Sequence, residues 1–320
     1  MANAWIVFQK MLVLLTMMLV GYFSYKRDIL NKDACTRLSK FVVAIVNPLL
    51  IIDGVIGKET VSDPSLLWQN LMMVSIYFAV LFAIGFPVAM LLRPNKSEAS
   101  LYRLMLLFSN VGFMGIPVIT GLYGSGCVLY IAFYILGYNL LLYTYGMHLV
   151  SKSVTHGSSQ ESTNTSDAPK ESPLKKIINP GVIACLVAIL LFALQLPVPA
   201  PVAQLVNGLG QTAVPLSMIL IGASMAQQDF KALLTDKRIY AFLGIRLLLL
   251  PILFALVLQH FALDRQVAGI VGLMMAMPVG SIVVLLATDK GADEKLCMKG
   301  CVLSTLLSVI TIPIVAIFLP

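Results

Sequence analysis

The stretch FSNVGFMGIPVITGLYG, residues 108–124, places Asn110, Gly112, Gly115 and Pro117 inside an otherwise apolar run. A second stretch, MPVGSIVV, repeats the theme with Pro278, Gly280 and Ser281. A proline within a helix removes one backbone donor and clashes with the carbonyl four residues earlier, here that of Phe113 or Met274. The glycines tolerate the backbone shapes that result. Each break ends one half-helix and starts another, whose first turn presents unpaired N–H groups and roughly half a positive charge. Two such starts around one small space favour an anion, notably a carboxylate. No Asp or Glu lies near either break to oppose one. A simple kink is the plainer reading of either proline alone. Matched breaks in the two halves of a chain instead point to a binding site. Ser281 either donates to the same anion or bonds back to its own helix.

Other reactive side chains form no constellation. His148, His156 and His260 sit at span ends or in a polar linker, so no Ser/His or Cys/His arrangement forms at depth. The five cysteines (35, 127, 185, 297, 301) have no C-x-x-C spacing and no metal-ligand partners in sequence. An enzyme is not expected, nor a cofactor or metal. Charges inside apolar spans are functional candidates. Arg246 lies ~12 Å from a span end at 1.5 Å per residue; it either draws anions along an inner vestibule or caps freed carbonyls. Lys10 and Asp53 lie at similar depth on adjacent spans and read as a buried ion pair, with proton coupling through Asp53 as the other option. Gln211, Thr212 and Ser217, near Pro215, either face a pathway or pack.

The elements that position these residues follow from composition. Of 320 residues 59% are hydrophobic and 12% charged, and the mean hydropathy is +0.91, where a soluble domain carries roughly a quarter charged residues. The chain is an all-α polytopic membrane protein with the lipid bilayer as its partner. The net charge of +7 forms no clustered basic face, which argues against nucleic acid. Spans of sufficient length read at about 4–24, 38–57, 66–92, 101–122, 127–150, 179–196, 201–226, 239–261, 266–287 and 297–319. The loops after odd-numbered spans hold eighteen Lys and Arg, against Lys58 and Arg265 on the other side, which places both termini outside the cell membrane. No cleavable signal peptide is expected, because Lys26 and Arg27 follow the first apolar segment.

The Ser/Thr-rich stretch 151–176 reads as a flexible cytoplasmic linker between residues 1–150 and 177–320. Prolines echo across it: Pro48 with Pro215, Pro87 with Pro251, and Pro117 with Pro278. Five spans per half make the second copy enter from the opposite side, an inverted repeat of the transporter kind.

At this point the motifs carry a resemblance. SNVGFMGIPVITGLYG is similar to the fourth-span motif of the auxin efflux carrier family, whose members include plant auxin exporters and bacterial carriers of malonate- or malate-like acids. GYFSYKRDILNKDACTRLSKFVVAIVNPLL, ILGYNLLLY, IRLLLLP and MPVGSIVV resemble its other segments, so the likeness covers nearly the whole chain except the linker. The resemblance implies ten helices in a five-plus-five inverted repeat, with spans 4 and 9 crossing at their prolines. It also implies that Asn110 offers its amide to a substrate carboxylate and that Asn139 stands beside the site, against the alternative that Asn110 bonds helix to helix. Some plant relatives carry an acid–base couple at the start of span 3, where this chain has Gln69 and Asn70, so the coupling step stays open. The expectation is a secondary transporter of a small organic anion, a mono- or dicarboxylate, working by alternating access. Spans 1, 2, 6 and 7 are expected to be the scaffold, and a homodimer is compatible with the reading. The alternatives are a sodium-coupled carrier of related architecture and a non-transporting membrane sensor.

Overall fold

A computed structural model describes residues 2–56, 64–157, 180–194, 196–227 and 237–319. The Lys10 side chain, Lys58 and most of the linker lie outside the described residues, so the proposed Lys10–Asp53 pair does too. The described chain is helical, and its one β-bridge joins Ser109 to Val279.

In chain order the helices are α1 (Ala2–Lys26), α2 (Lys32–Asp53), α3 (Pro64–Leu92), α4 (Lys96–Leu107), α5 (Ile116–Tyr123), α6 (residues 128–157), α7 (Pro180–Leu194), α8 (Ala200–Ala226), α9 (Lys237–Leu258), α10 (Arg265–Ala276), α11 (Ser281–Lys290) and α12 (Glu294–Ala316). Among the described residues six helices are long and apolar enough to cross a membrane: α2, α3, α6, α8, α9 and α12. The helix α6 runs past residue 150 to Gly157, into the stretch read from sequence as linker.

Short polar residues set the helix starts by accepting from first-turn amides. Asn31 accepts from the amide of Ala34 at 2.8 Å. Asn95 and Glu98 form a reciprocal capping box. Asp264 accepts from Gln266 and Val267, and Asp293 from Leu296.

Prolines within the spans are accommodated in two ways. The π-helical turns Val42–Val46, Val111–Gly115 and Ile245–Leu249 each end two residues before a proline: Pro48, Pro117 and Pro251. Widening the helix by one residue moves aside the carbonyl that the proline ring would strike. Pro87 and Pro313, by contrast, sit inside unbroken α-helix. The sequence pairs Pro48–Pro215, Pro87–Pro251 and Pro117–Pro278 therefore do not share a backbone shape.

Packing sorts the helices into two groups. In one, α8 packs on α1 and α2, and α7 on α2, and two seams, α1 against α12 and α7 against α6, join this group to the other. In the other, α3, α4, α6, α9, α10 and α12 surround the two half-helices that meet at the bridge. Residues 100–107 of α4 and 267–276 of α10 are buried without exception, the second stretch being apolar on every face and the first carrying Ser100 and Arg103 into the interior. The start of α4 meets the ends of the second group's other helices: Ser97 bonds Ser153, and Glu98 pairs with Arg238 at 3.2 Å. Gln69–Asp264 and Gln259–Phe318 contacts tie other helix ends together. Arg103, counted in sequence as a loop charge, is instead buried on α4, its guanidinium 3.6 Å above the Phe86 ring and bonded to the Tyr145 hydroxyl.

Candidate functional site

Between α4 and the Val111–Gly115 turn, and between α10 and α11, the chain is extended, and these two segments pair antiparallel. The Asn110 amide donates to the Pro278 carbonyl at 2.8 Å, and the Gly280 amide to the Phe108 carbonyl at 2.9 Å. Backbone polar groups in hydrocarbon need partners, and the bridge supplies them to both broken segments at once. Val279 gains a further one, its amide donating to Ser304 Oγ at 3.0 Å.

The crossing therefore lies at Phe108–Asn110 and Met277–Gly280. Pro278 is at it. Pro117 is not: it falls in the first turn of α5, buried, after the π turn that absorbs its ring. The expectation that both spans cross at their prolines is corrected on this point. The bridge also uses the amides of Asn110 and Gly280, so these two N–H groups do not face a guest.

A cavity of about 450 Å3 lies against the crossing, lined by Asn110, Gly112, Gly280 and Ser281, with Asn139 and Tyr138 from α6 and Ser39 and Asn47 from α2. A second, of about 410 Å3, shares Ser39, Asn110, Ser281 and Leu285 with the first. Among the described residues no Asp or Glu lines either one. An added Cβ at Gly112 would meet open space, whereas one at Gly280 would stand 2.8 Å from the Ser109 carbonyl oxygen. Gly280 is thus required by the bridge, and Gly112 leaves room on the cavity side.

The remaining sequence candidates divide. Asn139 lines the larger cavity, with Nδ2 donating to the Ile135 carbonyl at 2.8 Å. Gly115 lines neither cavity; its amide donates to the Asn110 carbonyl at 2.9 Å, and it packs near Met274 of α10. Arg246 lines neither cavity. Fully buried, it donates to the Met275 carbonyl at 2.5 Å and to Ser109 Oγ, which also pairs with the Tyr77 hydroxyl at 3.0 Å. Of its two sequence readings, the cap on freed carbonyls is the contact seen. Gln211 is drawn away to Asp53, whose buried carboxylate accepts from Gln211 at 3.0 Å and Asn207 at 3.0 Å. Gln69 and Asn70 also point elsewhere: Gln69 accepts from the Asp264 amide at 3.2 Å, and Asn70 donates to the Tyr130 carbonyl at 3.1 Å.

Sequence reasoning missed Ser39 and Asn47. Their signal was spacing: Ser39, Val43 and Asn47 recur every four residues, one face of α2, and that face turns to the cavity. Among the described residues no group of three His, Cys, Asp or Glu could hold a metal.

Apolar helices, two of them interrupted and joined at mid-length by backbone pairing, define a multi-pass membrane protein with a mostly apolar cleft, carrying a few polar side chains, against its crossing. Comparison then gives the family: the chain matches the membrane transport protein family over residues 6–316, and it belongs to that family, the auxin efflux carriers among it. It is similar to an uncharacterized transporter of Methanothermobacter thermautotrophicus, at 23% identity over 318 residues, 97% of this chain and 98% of the other. An uncharacterized transporter of Methanocaldococcus jannaschii is 26% identical over 229 residues, 69% of each chain.

Proposed function

We infer that this membrane transporter is a secondary carrier of a small organic anion, a carboxylate, and that it works by alternating access across the cell membrane. The observation that carries the reading is the position of Asn110 and Ser281. Both stand at the crossing, at the junction of two cavities that no carboxylate lines among the described residues. The Asn110 side-chain carboxamide, as distinct from its bridged backbone N–H, and the Ser281 hydroxyl are the polar groups that would meet a guest, and the heads of the Val111–Gly115 turn and of α11 add the positive ends of two helix dipoles. Ten spans in two inverted halves, with both termini outside, accord with the charge bias of the loops. In this arrangement α1, α2, α7 and α8 form the scaffold, and the group around the crossing moves against it. The cleft then opens to the cytoplasm, because its rim includes Lys32 and Lys40.

The test combines binding and flux. Asn110→Ala should weaken a small carboxylate by about 1–3 kcal/mol, the worth of a desolvated charge-assisted hydrogen bond, read as a smaller ligand-induced thermal shift. Unchanged affinity removes Asn110 from the site. Binding without uptake or efflux in liposomes would mark a sensor, and flux that collapses when choline replaces sodium would mark a sodium-coupled carrier.

A further inference from the structure

Lys32, Cys35, Thr36, Ser39 and Lys40 all line the 410 Å3 cavity. Their spacing, i, i+3, i+4, i+7 and i+8, is that of a single helix face, so α2 turns one edge with a lysine at each end toward the cleft. The two lysines lie ~12 Å apart along the helix at 1.5 Å per residue. Opposite them stand Ser224 and Gln227 of α8 and Thr305 of α12, all uncharged. At its deep end the cavity reaches Asn110 and Ser281. A concave space lined, among the described residues, by two cations, several hydroxyls and no carboxylate concentrates anions.

We propose that the Lys32–Lys40 face of α2 forms an antechamber subsite for the anionic group of an organic anion, separate from the crossing and reached before it. Lys40, beside Ser39, hands the anion inward, since Ser39 lines both cavities. The subsite exists whether or not the protein turns over; only its role as an entry station rests on the transport reading. Sequence alone counts both lysines as loop charges that set topology, which hides this use.

Two native thiols report on the space directly. Cys35 and Cys301 line it, while Cys127, Cys185 and Cys297 are buried and line neither cavity. With Cys35→Ala as background, Cys301 is labelled in detergent-purified protein by two methanethiosulfonates of similar size, one bearing a sulfonate and the other a trimethylammonium group. The expected result is that Lys32→Gln/Lys40→Gln lowers the ratio of anionic to cationic labelling rates at least about fivefold, and that high salt does the same to the unsubstituted lysines. A ratio unmoved by both changes overturns the subsite, and absence of labelling both at Cys301 and at a second thiol placed on the same wall by Ser224→Cys overturns it too, because the cavity would then be closed to water. Labelling needs no transport, so a protein that binds but moves nothing still tests the antechamber, while the liposome assay decides transport separately.

Discussion

The Asn110 amide donates to the Pro278 carbonyl at 2.8 Å, joining two interrupted helices from opposite halves of the chain. With the Gly280–Phe108 bond at 2.9 Å it makes a two-rung ladder, so the break in each segment is stabilised by the break in the other. Neither half can unwind alone without stranding polar groups in apolar surroundings.

This ladder makes Gly280 sensitive to a single methyl group. An added Cβ would lie 2.8 Å from the Ser109 carbonyl oxygen and 3.1 Å from that of Phe108, both backbone atoms that no rotamer change can move. Gly280→Ala should cost about 1–3 kcal/mol, the range for forced overpacking. The measurement is the thermal unfolding midpoint in detergent. Gly112→Ala, with open space around its added Cβ, is the control and should leave the midpoint nearly unchanged.

Pro117 should matter less than its place in the motif suggests. Since the interruption is held by Ser109 and Val279 pairing and not by the proline, Pro117→Ala leaves the ladder intact. Its expected effect is limited to the π turn Val111–Gly115, which can tighten once the ring is gone. Transport by Pro117→Ala should stay within a few-fold of the parent. Complete loss of flux in a well-folded Pro117→Ala protein would show that the π turn itself shapes the site.

The two breaks were unequally legible in the sequence for one physical reason. At Met277–Gly280 the proline and glycine that break the helix lie at the break, so local chemistry gives it away. At Phe108–Asn110 no strong breaker is present, and the segment is extended because a distant strand-like segment pairs with it, which no local rule detects. Pro117 drew attention instead, a residue its own helix accommodates. Class and apolar spans were legible because burial in lipid leaves a compositional mark. The anionic preference was argued from what is missing near the breaks in the sequence. Ser39 and Asn47 escaped notice because a polar helix face looks alike whether it meets water or a cleft.

Arg246 should prove a structural pin behind the crossing. It satisfies the Met275 carbonyl, freed where α10 ends, and Ser109 at the bridge. Arg246→Met removes the donor and should destabilise by about 1–3 kcal/mol for each buried acceptor left without a partner. Arg246→Lys keeps the charge but lacks the planar fork that reaches two acceptors, and so should fall between. Thermal midpoints of the three proteins give the order. If Arg246→Met is as stable as the parent yet loses carboxylate binding, the guanidinium serves the guest and not the backbone.

The firmest packing in the scaffold is a backbone contact between α1 and α8. An added Cβ at Gly21 would collide with the Ile219 carbonyl, and one at Gly222 with the Met18 carbonyl, so each glycine seats the other helix's main chain. Small residues at such contacts let helices in lipid approach closely and gain dispersion energy. Gly21→Ala and Gly222→Ala should each cost about 3 kcal/mol. The double variant should cost less than their sum, because the first methyl already parts the helices and the second enters the gap; couplings of about 0.5–3 kcal/mol are usual for touching residues. Gly208, on α8 with nothing near its added Cβ, gives the contrast: Gly208→Ala should be neutral or gain up to about 1 kcal/mol from the lost flexibility of glycine. Additive losses at Gly21 and Gly222 would mean that the two sites act separately and that α1 and α8 do not share one contact.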